Sequence, residues 1–271
     1  MALPACSLII ATYNWPEALS LCLQSVMKQA VLPQEVLIAD DGSGEETRAL
    51  IHRFQKDFPV PLLHVWQPDH GFQKTMILNK AIAQAKGTYI VQVDGDVILH
   101  DKFIEDHLSL ATPNRFLAGG RINLSEEHTR HVLENSIVTF TLRDIIKTSN
   151  LFNGLRSGFL RRVLANRYKL KGKNKYYAKG CNMSFWRKDL LAVNGYNENY
   201  VGWGPEDSEL AARLMNAGIR KKSLKMGGVQ YHLHHTYVDT SRKAINEELL
   251  CTTIQTNITY CEKGIDQYLQ K

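Results

Sequence analysis

The sequence has no CxxC pair among its five cysteines (Cys6, Cys22, Cys181, Cys251 and Cys261), and an odd number argues against a disulfide framework. Reduced thiols of this kind point to a cytosolic setting. No apolar run approaches the roughly 20 residues that a membrane-spanning helix needs. The opening MALPACSLIIATYNW is too short and too poor in positive charge for a secretory signal, and SLIIA reads as a first strand. Internal repeats and low-complexity linkers are absent. One stretch also lacks acid. Lys147, Arg156, Arg161, Arg162, Arg167, Lys169, Lys171, Lys173, Lys175 and Lys179 follow one another with no Asp or Glu between them. Such a block is either a solvated loop or a surface for an anionic partner.

What remains is ordinary globular composition: 271 residues, 44% hydrophobic and 22% charged, with a formal charge of +6. That length supports one large domain or two small ones around a substantial core. The first hundred residues alternate in type. CSLIIA, EVLIA, PLLHVW and GTYIVQV read as strands, and helical patterns run over Trp15–Lys28, Glu45–Phe58 and Lys74–Ala85. Strands separated by helices imply βαβ units and a parallel sheet, with ligands bound beyond the carboxyl ends of the strands.

The unusual residues sit at those ends. Thr12, Tyr13 and Asn14 follow the first strand, Asp40 to Ser43 the second, and Asp94, Gly95 and Asp96 the fourth. Three polar clusters at equivalent strand ends converge on one crevice, and helix N-termini beside it favour an anionic ligand such as a nucleotide or phosphate. Asp94 and Asp96 are two apart and share a face of an extended chain, so their repulsion requires water or a cation between them. Further on, FLAGGRINL reads as a strand with a Gly-Gly bend and RHVLENSIVTFTLRDIIKTS as helix. From Phe159, apolar Phe159, Leu160, Val163, Leu164 and Tyr168 recur at helical spacing among arginines, either on a membrane surface or packed on the protein. GWGPED leads into a helix whose first-turn acids, Glu206 and Asp207, suit the helix dipole. GGVQYHLHHTY places His232, His234 and His235 within four positions, and INEELLCTTIQTNITYCEKGIDQYLQ reads as helix.

The order of IIATYN, IADDGSG, VDGD and the later GWGPED resembles the inverting family 2 glycosyltransferases of GT-A fold. The second half is similar to the galactosyltransferase-type C-terminal region of β-1,4-galactosyltransferases and chondroitin-type polymerases. The resemblance implies an α/β, Rossmann-like αβα fold with a mixed, mostly parallel sheet. It implies one catalytic domain over 1–271: a nucleotide-binding half (5–110), a helical and basic insert (111–175), an acceptor-binding and catalytic half (176–240) and a C-terminal helical segment (241–271). The implied reaction moves a sugar from a UDP-sugar to a glycan or lipid-linked acceptor in bacterial surface polysaccharide synthesis.

Residue by residue, the resemblance makes Asp96, His232 and His235 ligands of Mn2+ (or Mg2+), with Asp94 on the donor. Thr12, Tyr13, Asn14 and Asp41 become uridine contacts, Phe72 packs on the base, and Lys74 touches the donor. Asp207 becomes the catalytic base, while Glu206 and Trp203 hold the acceptor. Pro205 departs from the small residue many relatives have there. The basic stretch 147–179 is then a peripheral contact with anionic membrane on the cytoplasmic face. Two other readings stand beside this one. A nucleotidyltransferase of similar fold would carry a Gly-rich, cationic loop after the first strand, which ATYNWPEAL lacks. A non-enzymatic membrane or nucleic-acid binder would leave the carboxylates and histidines unused, and no nucleic-acid motif is present.

Overall fold

The computed structural model describes residues 3–141, 151–236 and 239–269. Its main sheet is seven-stranded, in the order β3-β2-β1-β4-β8-β6-β9. The strands are β1 (Cys6–Thr12), β2 (Glu35–Asp40), β3 (Leu62–Trp66), β4 (Tyr89–Asp94), β6 (Arg115–Gly119), β8 (Met183–Trp186) and β9 (Arg220–Leu224). Pairing is parallel from β3 through β4 and between β6 and β9, whereas β8 is antiparallel to both neighbours. This is the mixed, mostly parallel α/β sheet expected from the sequence. Every residue of β1 and β2 is buried, which explains their unbroken apolar runs.

Alternation along β1 divides the core between the two faces of the sheet. Leu8 and Ile10 pack with Leu19 and Leu23 of α1 (Pro16–Met27), Leu50 of α2 (Glu45–Asp57) and Ile104 of α4 (Phe103–Leu110). Ile9 instead meets Ile77 and Leu78 of α3 (Lys74–Gln84), and Leu210 and Leu214 of α9 (Glu206–Asn216). A second, three-stranded sheet pairs β10 (Gln230–His232) antiparallel to β5 (Val97–Leu99) and parallel to β7 (Ile122–Asn123). Its register sets His232 opposite Val97, one residue after Asp96.

Three sequence expectations need correction. FLAGGRINL is two strands, not one: β6 lies in the main sheet and β7 in the small one. The chain leaves β6 at Gly119, where a Cβ would lie 2.3 Å from the Asn182 side chain. The long helix expected over 130–149 is α5 (Glu126–Glu134), capped by Ser125 and stopped at Asn135. Ser136 follows with φ +50, and Phe140 stacks on Tyr231 at a 3.8 Å centroid separation. Residues 142–149 of that expectation lie outside the described residues, as does Lys147. The C-terminal helix, α10 (Lys243–Gln255), ends before Asn257 (φ +54), and only a short 3-10 turn at Ile265–Tyr268 follows. No described helix is long and apolar enough to cross a membrane.

Candidate active site

The carboxyl ends of β1, β2 and β4 meet at one edge of the main sheet, and the turn between β4 and β5 carries Gly95 and Asp96. The two aspartates of that turn have different partners. Asp94 Oδ1 accepts from Lys74 Nζ at 2.6 Å, and Lys74 is the first residue of α3. Burial alone would pull the Lys74 ammonium down, but Asp94, Asp207 and Glu206 together hold it above its ordinary range. One basic side chain therefore senses both the β4 turn and the start of α9. Of the two partners the sequence left open for the aspartate pair, water or a cation, Asp94 has a cation, the Lys74 ammonium.

Asp96 faces imidazoles instead. Its Oδ2 lies 3.3 Å from His232 Nε2 and 3.4 Å from His235 Nε2. One ligand atom from each of the three residues falls within 4.8 Å of the others. Adjacency of β5 and β10 produces this: Leu233 N donates to the Asp96 carbonyl at 2.9 Å. Asp96 Oδ1 is buried without a hydrogen-bond partner. Burial, reinforced by Asp94, pushes the Asp96 carboxyl up to about 7, and burial pushes His232 down to about 3. A neutral imidazole beside an unsatisfied carboxylate oxygen suits a divalent cation. His234 stays outside the cluster, and its backbone N–H donates to Thr129 Oγ1 at 2.8 Å.

At the ends of β1 and β2 the chain ties its turns together. Asp40 accepts from Ser43 N at 2.8 Å and meets His64 Nε2 at 2.8 Å, so the first aspartate of DDGS is structural. Asp41 N donates to the Thr12 carbonyl at 3.0 Å. The Asp41 carboxylate accepts from Gln67 Nε2 at 2.6 Å and Gln73 N at 2.8 Å, and burial pushes it up to about 6. Asn14 (φ +44) accepts from Gly44 N at 2.9 Å through its side chain. Tyr13 donates to Asp69 Oδ2 at 2.9 Å and is exposed. Phe72 is 45% exposed, which excludes an ordinary core role. Its carbonyl accepts from Gly202 N at 3.0 Å, joining this rim to the GWGPED loop.

That loop delivers α9. Gly202 adopts φ +74, Trp203 is 40% exposed, and Pro205 precedes the first helical turn. From α10, Asn246 Nδ2 donates to the carbonyls of Val201 (3.2 Å) and Trp203 (3.0 Å). Asp207 accepts from Gly180 N at 2.6 Å on Oδ2 and from the Tyr196 hydroxyl at 3.1 Å on Oδ1. Tyr196 in turn accepts from Gln92 Nε2 at 2.9 Å. Burial raises the Asp207 carboxyl, and the Gly180 and Tyr196 donors oppose that rise. Glu206 is buried with Oε2 unpartnered, and burial followed by the charge of Asp207 pushes it up to about 8. Sequence reasoning missed Gly180, Tyr196, Gln92 and Asn246. None carried a signal in the sequence; the structure shows that a Cβ at Gly180 would lie 2.4 Å from Asp207 Oδ1.

Residues 7–169 match a family model described as "Glycosyl transferase family 2", and residues 161–236 match one described as "N-terminal domain of galactosyltransferase". A chondroitin synthase of Escherichia coli is 25% identical over 237 residues, 83% of this chain and 34% of the synthase. The chain thus spans about a third of the length of that relative. Among solved structures, S. aureus TarS 1-349 in complex with UDP-GlcNAc superposes with a TM-score of 0.65 at 15% identity, covering 97% of this chain and 69% of that one. The mannosyltransferase PcManGT of Pyrobaculum calidifontis, in complex with GDP-Man and Mn2+, gives 0.59 at 20% identity, covering 86% of this chain and 57% of that one. Both share the GT-A fold.

Proposed function

This chain belongs to glycosyl transferase family 2, and on that premise we propose that it is an inverting, divalent-metal-dependent glycosyltransferase. It uses a UDP-sugar and passes the sugar to a hydroxyl of a glycan or lipid-linked saccharide, in the synthesis of a surface polysaccharide. The observation that carries the reading is the double environment around Lys74. That ammonium pairs with Asp94 at the β4 turn and feels Glu206 and Asp207 at the start of α9, which supports a reading in which the β4 turn and the candidate base serve one site.

Asp96, His232 and His235 are the residues that would hold Mn2+ or Mg2+; imidazole with carboxylate suits manganese better than calcium. When bound, the cation supplies charge neutralisation on the departing diphosphate. Asp41 accepts the uracil N3–H, Thr12, Tyr13 and Asn14 line the uridine, and the exposed ring of Phe72 packs on the base. Lys74 pairs with Asp94, which contacts the donor sugar, and itself touches the donor. Across the crevice, Trp203 offers its face to the acceptor ring and Glu206 hydrogen-bonds an acceptor hydroxyl. Asp207 removes the proton from the attacking hydroxyl as the new bond to the anomeric carbon forms and the bond to diphosphate breaks on the opposite side. Gly180 and Tyr196 hold the Asp207 carboxylate in place for that role.

A panel of UDP-sugars with Mn2+, scored for UDP release, tests the reading. One or a few are expected to turn over, and Asp207→Asn is expected to lower transfer by roughly 10²–10⁴-fold while UDP–Mn2+ affinity stays unchanged. Normal transfer by Asp207→Asn would overturn the assignment of the base.

A further inference from the structure

Helix α7 (Gly158–Ala165) sits with the wrong side chains outward for a helix that serves only the fold. Arg161 and Ala165, one turn apart, are 4% and 1% exposed. Phe159 is 74% exposed and Leu160 42%. Burying a phenylalanine is favourable and burying a guanidinium is costly, so the arrangement that best serves packing is the reverse. The membrane-or-core alternative posed by the sequence therefore resolves by residue: Arg161, which reads as part of a cationic surface, is an internal anchor.

The anchor is built in detail. Arg161 pairs with the fully buried Asp106. Arg156 Nε donates to both oxygens of the same carboxylate at 3.0 Å, and Gly228 N donates to it at 3.0 Å. Ser157 N donates to the Met226 carbonyl at 3.0 Å, and the Ser157 side chain caps the helix. These bonds fix α7 with Phe159 and Leu160 directed away from the body.

The surroundings of that face say what it fits. Phe152 is 67% exposed just before α7. Its neighbour Asn153 is held at 2.8 Å to the Arg121 carbonyl and at 2.7 Å to Lys225 Nζ. Arg162 projects from α7 beside Phe159, and Arg167, Lys169 and Lys171 follow, all exposed, in a stretch without acid. We propose that Phe152, Phe159 and Leu160, exposed in the same acid-free stretch as these cations, dock on the surface of an anionic lipid bilayer. Cations near such a surface are each worth roughly a fivefold gain in binding, and apolar side chains that enter the headgroup boundary add to it. A nucleic acid would answer the charge and could stack on the two phenylalanines, but it leaves Leu160 unused. The Asn153–Arg121 bond ties this surface to the edge of the crevice: Arg121 follows β6 and approaches Cys181 Sγ at 4.0 Å, next to Gly180. Docking there would bring the crevice to the lipid surface. The proposal does not depend on the sugar-transfer reading.

Sedimentation of the full chain with vesicles tests it. Phosphatidylcholine vesicles containing phosphatidylglycerol are expected to bind the protein, less so as salt rises, while pure phosphatidylcholine vesicles do not. Phe159→Ser with Leu160→Ser is expected to weaken binding roughly tenfold or more, and Arg162→Gln with Lys169→Gln roughly fivefold per charge. Thermal unfolding and UDP–Mn2+ affinity should be unchanged in both variants, which separates loss of docking from loss of fold. Failure of the wild type to bind anionic vesicles would overturn the proposal, as would equal binding by the Phe159/Leu160 variant. So would single-stranded DNA binding without vesicle binding, or a solution dimer that this variant dissolves without any vesicle binding.

Discussion

Glu206 and Asp207 are neighbours in one helical turn, yet their surroundings divide the work between them. Asp207 receives two donors, whereas Glu206 Oε2 receives none and its carboxyl is pushed up to about 8. Asp207, with two donors, is the better placed of the two to carry charge, and Glu206, with Oε2 unpartnered, the better placed to keep a proton, a division of roles set by environment. The Tyr196 hydroxyl favours ionised Asp207. Tyr196→Phe removes that donor, so Asp207 ionises only at higher pH and the acid limb of kcat should move to higher pH. A pH–rate profile measures this, and an unmoved limb would show that Tyr196 is structural only. Asp41 gives a second prediction. It is pushed up to about 6, and its ionised form is the stronger acceptor for the uracil N3–H, so uridine affinity measured without metal should fall as pH drops below about 6. Asp41→Asn should erase that limb. At this scale the sequence was legible where a motif names the residue: Asp41, Asp96 and Asp207 stood out, and each has polar neighbours in the structure, Gln67 and Gln73 for Asp41, two imidazoles for Asp96, and Gly180 and Tyr196 for Asp207. Tyr196 and Gln92 were not legible, because a buried Tyr–Gln pair looks like any core residues until the fold brings them within hydrogen-bond distance.

The elements that position these residues were read from periodicity with small errors at their ends. Helices α1, α2 and α3 fall within a residue of the expected spans because apolar spacing and Pro16 mark them. The failure at 130–149 has a local cause: Ser136 at φ +50 breaks the helix, and Ile137 and Phe140 find partners on the small sheet. Loop positioning is a matter between elements. Asn246, fully buried on α10, holds the carbonyls of Val201 and Trp203, and Gly204 packs so closely that a Cβ would lie 2.6 Å from the Asn246 side chain. Asn246→Ala strips the Trp203 carbonyl of its donor and leaves the Val201 carbonyl with Arg242 Nε alone (3.1 Å), at a cost of about 1–3 kcal/mol, and releases the Trp203 loop. Acceptor KM should rise more than kcat falls, which steady-state kinetics with varied acceptor would show. Gly180→Ala should act oppositely, lowering kcat with little change in acceptor KM, since its Cβ displaces the Asp207 carboxylate and not the acceptor loop.

Across the whole molecule, the site joins stretches far apart in the chain. The β4–β5 turn supplies Asp96, and the strand β10, paired on β5, returns His232 and His235 to it. The sequence shows both stretches but not the small three-stranded sheet that joins them, because strands of two or three residues leave almost no periodic signal. If the three side chains hold one ion, metal and nucleotide binding must be linked, and Mn2+ should raise the unfolding temperature of the wild type by mass action. Calorimetric titration of UDP with and without Mn2+, on wild type, Asp96→Ala and His235→Ala, is the most direct measurement. Wild-type affinity should rise at least about tenfold with Mn2+, and either substitution should remove most of that gain while leaving metal-free uridine binding intact. Equal Mn2+-dependent UDP affinity in all three proteins would contradict a cation held between Asp96, His232 and His235.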